Sequence, residues 1–469
     1  MNLSRIFLIS IIFTFILSAP LLIEAKADEN TDVKKELQEL KQMMKQMQNQ
    51  IEDLEDRNQE LEKQAKQKQT PVQEKTIVVG EEETDLTVIE LPAQQTQQGF
   101  LGKAINAFNP QISVIGTFAA AYYSQDEPFV FAENDPENTG VNVQEVEVGF
   151  QGVVDSFFRY DMFLSFSTEG VELEEAYGTT LFSLPLNSQF RVGRARAKFG
   201  RINQLHRHNQ NFVTLALPAA QFLGEHLNPT SIEANFLVPV VPWYLELSAS
   251  GGSPDVETPT FARDEDANDL GRLLYIFHVA NFFELSEALS VSLGGSFATG
   301  SNGTAAGERS NLYGIDLYAK YRPLKNNPYQ EFILQSEFMY LDAGTPEENL
   351  ENWGWYGQAI YRFAKRWDTG FRFGIIDTNT PVQEVEEGED IEASNLFTVF
   401  RGEEGDEEEG MLGLLGRTYR ISPMLTFNPS EFSQIRLQYD YLNQDFAENQ
   451  HAIFLQFQYA IGAHGAHPF

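Results

Sequence analysis

The feature of this sequence that most restricts its fold is a period of two in side-chain polarity, which recurs through most of its length. Phe158, Tyr160 and Met162 alternate with Arg159 and Asp161, for example, and similar segments of roughly ten residues follow toward the C-terminus. Successive side chains of a strand point to opposite faces. We therefore expect strands with one face against lipid and the other against a water-filled lumen.

This alternation marks sixteen candidate strands and predicts an all-β fold, a 16-stranded antiparallel transmembrane β-barrel. Short turns alternate with longer loops, as expected when both ends of the barrel chain are periplasmic. The connection 444–449 is predicted to be one of the loops, whereas Thr168 to Gly170 is a short link where a loop belongs. The candidate strands are 111–123, 142–154, 157–167, 171–182, 188–199, 231–238, 243–250, 272–282, 287–298, 311–322, 329–342, 353–364, 367–377, 412–426, 431–443 and 450–461.

Composition supports a barrel and excludes several other classes. The 469 residues include 37 Phe and 17 Tyr, more aromatic surface than a polar, acidic secreted protein needs. A soluble sandwich would favour Val, Ile and Leu and would seldom need so many strands. No segment beyond the N-terminal region is long and apolar enough for a transmembrane helix. The chain has no cysteine, which excludes disulfides, and its net charge of −35 excludes nucleic acid as a partner.

The N-terminal region predicts export and self-association. Residues 1–27 have a basic start, an apolar stretch and an Ala-Lys-Ala site, which indicate a signal peptide; an uncleaved membrane anchor is the alternative. Residues 28–67 contain an uninterrupted heptad pattern over 33–65, which predicts an α-helical coiled coil and hence a homo-oligomer. A trimer fits the barrel prediction. Asn58 at an a position either fixes the register of the coiled coil or marks a solvated break near its end.

Residues 68–110 are predicted to be a linker followed by a short amphipathic segment, because they are rich in polar residues and have no sustained period. Within them Thr76-Ile77-Val78-Val79-Gly80 resembles the energy-coupling box of TonB-dependent receptors. A short docking strand is the alternative interpretation. The remainder, 111–469, is assigned to the outer-membrane barrel.

Several stretches resemble one family of outer-membrane proteins. "VELEEAYGTT" at 171–180 and "RVGRARAKFGRINQLHRHNQNFVTLALPAAQFLGE" at 191–225 are similar to members of the phosphate-selective porin superfamily, as are "FNPQISVIG" at 108–116 and "GAHGAHPF" at 462–469. Many such members are labelled zinc-regulated TonB-dependent outer-membrane receptors. The resemblance implies a trimeric sixteen-stranded barrel with a periplasmic N-terminal coiled coil. Between Ala65 and Gln111 there is no room for the plug domain that a TonB-dependent receptor requires.

One candidate strand carries a row of basic residues. Arg194, Arg196 and Lys198 share one face by the period of two, which predicts a basic ladder inside the barrel. Rows of like charge are one means by which pores select ions. The alternative is that Glu172 and Glu174 on the preceding strand pair with the ladder and neutralise it. The acidic runs 384–392 and 403–409, which are predicted to be solvated loops, favour cations instead, so anion or cation preference stays open.

The segment after this ladder is the second candidate site. Residues 200–230 would form the third outer loop, which in similar porins folds into the lumen and sets the constriction, so Arg201 and Arg207 join the predicted pore-lining set. His206 and His208 lie on one side of an extended chain, and with Glu225 they could hold a divalent ion. The alternative for these histidines is ordinary loop packing.

Together these patterns predict a porin, a passive channel for small solutes or ions in the bacterial outer membrane. The predicted partners are outer-membrane lipid, lipopolysaccharide and, from the aromatic terminus Phe469, the barrel assembly machinery. No catalytic motif is present, and no cofactor is expected other than a divalent cation. The alternative functions are a TonB-linked or metal-associated receptor and a structural tether of the outer membrane.

Overall fold

The computed structural model describes most of the barrel region of the chain. The described residues are 110–168, 170–181, 184–253, 258–262, 273–302, 307–323, 329–345, 349–378, 416–445 and 447–462. The predicted signal peptide, coiled coil, linker, TonB-box-like segment and C-terminal residue Phe469 lie outside them. Among the described residues, no helix has the length and apolar character needed to cross a membrane.

Sixteen antiparallel strands form one closed barrel in which each strand pairs with its sequence neighbours and β1 pairs with β16. This confirms the predicted fold of the barrel. The strands are β1 (Gln111–Tyr123), β2 (Gly140–Val153), β3 (Phe158–Phe166), β4 (Val171–Thr180), β5 (Ser188–Arg194), β6 (Thr230–Leu237), β7 (Tyr244–Ser253), β8 (Leu274–Ser286), β9 (Leu289–Ser301), β10 (Arg309–Tyr321), β11 (Glu331–Ala343), β12 (Leu350–Ala364), β13 (Trp367–Thr378), β14 (Gly416–Ser430), β15 (Ser433–Gln444) and β16 (Ala447–Gly462).

The outer face of the barrel is apolar and the inner face is largely polar. On β16, Ile453 and Tyr459 are 48% and 52% exposed, whereas Gln456 on the other face is buried. Aromatic rings contact one another across neighbouring strands of the outer face, including Phe297 with Tyr313 at 5.1 Å between ring centroids. An apolar exterior around a polar interior is the inverse of a soluble barrel and is the arrangement that lipid requires.

Several strand ends differ by a few residues from the sequence prediction, and two of the differences concern the predicted connections. The predicted strand 188–199 is wrong in its last part, because β5 ends at Arg194 and the chain then turns away from the wall. The predicted loop 444–449 is also wrong, since β15 and β16 remain paired up to Gln444 and Ala447. Both errors fall at the rim or in the lumen, where polar residues occur on strands and loops alike.

Between β5 and β6, residues 195–229, hereafter the lumen segment, pass through the interior of the barrel. The segment contains two short 3₁₀ turns and one helix, α1 (Leu217–Leu223), all seven residues of which are buried. Gly354 of β12 makes room for this helix, because a Cβ at that position would lie 2.9 Å from the Cβ of Pro218. The segment and the wall share one apolar core that includes Phe199, Leu215, Phe222, Leu312, Met339 and Tyr356.

Candidate functional site

The lumen segment is bonded to opposite parts of the barrel wall. The amide of Gly200 donates to Ser296 Oγ of β9 at 2.9 Å, and the amide of Ile202 donates to Glu337 Oε1 of β11 at 2.8 Å. Farther along, the amide of Val213 donates to Gln438 Oε1 of β15 at 2.6 Å. Because these contacts reach from β9 to β15, the segment crosses the lumen and narrows it.

The predicted basic ladder does not exist as a continuous row on one strand. Arg194 is the last residue of β5, and Arg196 and Lys198 already belong to the lumen segment. Arg194 lies 3.3 Å from Glu172, and Arg196 lies 3.0 Å from Glu174. Lys198 pairs in the same way with Glu246 of β7. Each of these three cations therefore faces a carboxylate on the wall, so the row contributes little net positive charge to the lumen.

The other two predicted pore-lining arginines also have partners. The Arg201 guanidinium lies 3.8 Å from the centroid of the Tyr318 ring, a cation–π contact with the wall. Arg207 is buried, and its Nη2 donates to Asp135 Oδ1 at 2.9 Å and to the carbonyl oxygen of Val213 at 2.7 Å. The sequence contained no signal for Asp135, which lies in the loop between β1 and β2.

The predicted histidine pair lies at the centre of a buried acidic cluster. His206 Nδ1 is 2.7 Å from Glu147 Oε2, and its Nε2 is 2.9 Å from Glu175 Oε2. The same Nδ1 is 3.4 Å from Glu174 Oε2. His208 stacks on His206 with 5.6 Å between ring centroids and places its Nδ1 3.4 Å from Glu147 Oε2. The sequence brought the two histidines together but did not identify the carboxylates that face them.

Two β-bulges bring these carboxylates inward. The β1–β2 register skips Gln144, so that Gln144 and Glu145 are both buried. The β3–β4 register skips Glu174, so that Glu174 and Glu175 are both buried. A bulge places two residues of one strand opposite a single residue of its partner and redirects side chains, and bulges are common beside functional sites. Strict alternation would have turned only one residue of each pair inward.

The environment of the lumen segment shifts the pKa values of its histidines in opposite directions. Burial and the Arg196 guanidinium disfavour a charged His206, but the adjacent carboxylates of Glu147 and Glu174 outweigh them and hold its pKa well above the usual range. Burial, with Arg196 in support, lowers the pKa of His226 well below its usual range. The surroundings therefore favour the charged form of His206 and the neutral form of His226.

A polar cavity of about 420 Å³ adjoins this cluster. His206, His208 and Glu147 line its inner part, and Ser113 and Gln151 line it near the end of the barrel at which β1 begins. Its other charged side chains include the ion pair Arg191–Glu233, with 2.7 Å between Nη2 and Oε2. The cavity therefore connects the buried cluster with one end of the lumen.

Glu225 is expected to make the barrel less stable as the pH rises from about 4.5 to 8. Burial raises the pKa of Glu225 from 4.5 to about 8; Glu174 and Glu133 act in the same direction, against Arg207 and the hydrogen bond from Asn134. In this window the folded chain holds a proton that the unfolded chain has released, so stability falls as the pH rises. Glu225→Gln removes this contribution.

The measurement is urea unfolding of wild type and variant in detergent at pH 5 and pH 8. The variant should gain stability relative to wild type at the higher pH, and Glu172→Gln, at an exposed position, is the control. If the stability of Glu225→Gln differs from that of wild type by the same amount at both pH values, the raised pKa of Glu225 is contradicted.

Comparison with known proteins shows the family to which this chain belongs through one relative. No family model matches the chain. A protein of Aquifex aeolicus (strain VF5), named only as uncharacterized, is 30% identical over 362 residues, which cover 71% of each chain. The chain belongs to the family of this Aquifex protein. The name of this relative gives no activity. The function of the chain is therefore inferred from the geometry of the barrel and its lumen segment.

Comparison with solved structures shows that this chain has the fold of outer-membrane porins. Pseudomonas putida OprB, in its high-pH structure, is similar with a TM-score of 0.51 and 10% identity, covering 77% of this chain and 96% of that chain. The anion-selective porin of Comamonas acidovorans has a TM-score of 0.46 and 10% identity over 75% and 99% of the two chains. At such identities the likeness concerns the fold alone.

Proposed function

We propose that the protein is an outer-membrane porin through which small hydrophilic solutes or ions diffuse passively, without catalysis. The observation that carries this proposal is the lumen segment crossing a polar-lined barrel and leaving a polar cavity of about 420 Å³ beside it. Barrels of sixteen strands are wide enough to hold an aqueous channel. The apolar outer face with its aromatic contacts supports a location in the outer membrane, with lipid and lipopolysaccharide as neighbours.

The proposed constriction is the lumen segment and the wall carboxylates that face it. Five basic side chains keep their proposed role near the pore, but as members of ion pairs and ring contacts rather than as a free basic row. They are Arg194, Arg196, Lys198, Arg201 and Arg207. All of the described residues that fill the lumen belong to loops of the barrel itself. This favours a porin over a receptor with a separate plug.

The heptad pattern of residues 33–65 supports the proposal that the barrels form homo-trimers through a periplasmic coiled coil. Export by a cleaved signal peptide and insertion by the barrel assembly machinery complete the proposed pathway to the outer membrane. Size-exclusion chromatography with light scattering tests the oligomer: removal of 33–65 should reduce its mass or stability while the barrel still folds.

Uptake of uncharged sugars by proteoliposomes tests diffusion directly. Vesicles containing the folded protein should swell quickly in a pentose and slowly or not at all in a trisaccharide, because the lumen segment limits the size of the solute. Equal swelling of protein-free and protein-containing vesicles would contradict the proposal.

Removing the carboxylate of Glu233 should shift the channel toward anions. Glu233 is buried beside Arg191 on the cavity wall, and Glu233→Gln would leave the guanidinium without its charge partner. Uncompensated positive charge on a pore wall attracts anions. Reversal potentials in a salt gradient measure the change, and Glu431→Gln, at an exposed position in the turn between β14 and β15, is the control. A shift toward cations in Glu233→Gln would contradict this view of the cavity wall.

A further inference from the structure

The cluster around His206 contains three ligand atoms in the arrangement of a metal site. Glu147, Glu174 and His206 each offer one ligand atom, and these three atoms lie within 4.8 Å of one another, on β2, β4 and the lumen segment. His206 Nδ1 is 2.7 Å from Glu147 Oε2 and 3.4 Å from Glu174 Oε2. Ligands about 2.1 Å from a tetrahedral ion are about 3.4 Å apart. Only small side-chain movements would therefore be needed to hold an ion.

The imidazole is oriented as in metal sites. Its Nε2 lies 2.9 Å from Glu175 Oε2, so the Nε2–H can donate to this carboxylate while an ion displaces the proton on Nδ1 and takes its lone pair. A metal-binding histidine commonly donates its other ring N–H to a carboxylate, which fixes its tautomer and its orientation. Glu175 is therefore a positioning residue, whereas Glu147 and Glu174 are ligands.

A second, independent observation points to an ion at this place. Glu174 Oε2 and Glu145 Oε1 are buried oxygens, on side chains that are 4% and 1% exposed, and neither accepts a hydrogen bond within the described part of the chain. Buried polar atoms are nearly always satisfied, and an exception calls for an explanation such as an ion. A cation would bind a buried carboxylate oxygen that accepts no hydrogen bond and lies next to a histidine, as Glu174 Oε2 does.

Charge favours the same conclusion. Four carboxyl groups share one region, and the basic side chains that face them are those of Arg196, His206 and His208; the acids are Glu145, Glu147, Glu174 and Glu175. Carboxylates that share a buried space repel one another unless cations compensate them. A divalent ion bound by Glu147, Glu174 and His206 would reduce this excess of negative charge.

We propose that Glu147, Glu174 and His206 bind a divalent transition-metal ion of the zinc or manganese type. One imidazole with carboxylates suits these ions, whereas Ca²⁺ and Mg²⁺ prefer oxygen ligands throughout. The cavity of about 420 Å³ lined by Glu147 and His206 gives an ion access to the site. A bound ion would join β2, β4 and the lumen segment and hold the segment in place. The site does not depend on whether the barrel conducts.

Zinc binding to the full, folded chain in detergent tests the site, after treatment with a chelator. His464 and His467 are replaced by Gln in every sample, so that terminal imidazoles do not contribute. We expect about one Zn²⁺ per chain, its loss in His206→Gln, and affinity about 10–100-fold weaker in Glu175→Gln. His278→Gln is the matched control, because His278 is also buried but bonds to Ser296 in the wall; its zinc affinity should be unchanged.

Zinc bound equally well by His206→Gln would overturn the proposal, since the ion would then be held by other acidic groups. Tighter binding of Ca²⁺ than of Zn²⁺ would overturn the assigned class of metal. If His206→Gln does not fold, X-ray absorption of the zinc-loaded parent chain decides. Scattering from at least one imidazole together with oxygen ligands is expected, and an all-oxygen shell would overturn the site.

Discussion

Replacing residues 198–226 by a two-residue turn is expected to raise the single-channel conductance several-fold. The amide of Ala197 donates to the carbonyl oxygen of Leu227 at 2.8 Å, so the two ends of the lumen segment are already paired like a hairpin. A two-residue turn can close such a pair. The truncated chain keeps β5 and β6 but loses α1 and the apolar core in the lumen, which opens a barrel of this size to water.

Planar-bilayer recording of the truncated and full chains measures this effect. A heat-dependent shift in electrophoretic mobility and a β-type circular dichroism spectrum serve as controls that the truncated barrel has folded. Unchanged conductance in a folded truncated barrel would show that the lumen segment does not set the narrowest part of the pathway.

Arg207→Met should destabilise the docked lumen segment by about 3–5 kcal/mol. Arg207 and Asp135 are both buried, and the guanidinium joins the β1–β2 loop to the lumen segment. The substitution keeps an unbranched side chain of moderate size but leaves a buried carboxylate, to which only the amide of Leu215 still donates among the contacts described. We expect a lower urea midpoint and noisier open-channel current, because the segment would detach more often.

Arg201→Met is the control for this prediction. Its guanidinium lies over the Tyr318 ring, and loss of such a contact costs about 0.5–2 kcal/mol. Similar losses of stability in the two variants would mean that the Arg207–Asp135 pair is not the main attachment of the segment.

The sequence predicted the wall of the barrel well because a period of two is a local property. All sixteen candidate strands correspond in order to β1–β16, and the polar residues of β16 face inward as expected. The pattern failed after Arg194, where Ala195, Ala197 and Phe199 continue to alternate with charged residues although the chain has left the wall. Ala197 and Phe199 pack into the apolar core of the lumen, whereas Arg196 and Lys198 pair with carboxylates of the wall, so alternation there no longer indicates a strand.

The site could be predicted only in part. The sequence predicted that His206 and His208 lie together, but the contact between Glu147 and His206 joins residues 59 positions apart. Glu225, the third ligand suggested by its nearness in sequence, bonds to Asn134 instead. Contacts across a lumen depend on the course of the whole loop, and the bulges at Gln144 and Glu174 leave no signal in polarity. The predicted acidic loops 384–392 and 403–409 lie outside the described residues.

Single-channel recording of the purified full-length protein is the most direct test that solutes pass beside the lumen segment. The account predicts discrete, stable current steps from the wild-type barrel, smaller than those of the chain shortened at 198–226. Silent bilayers from a demonstrably folded wild-type barrel, together with clear steps from the shortened chain, would contradict it. That result would identify a barrel that its own loop keeps closed, as expected of a structural tether.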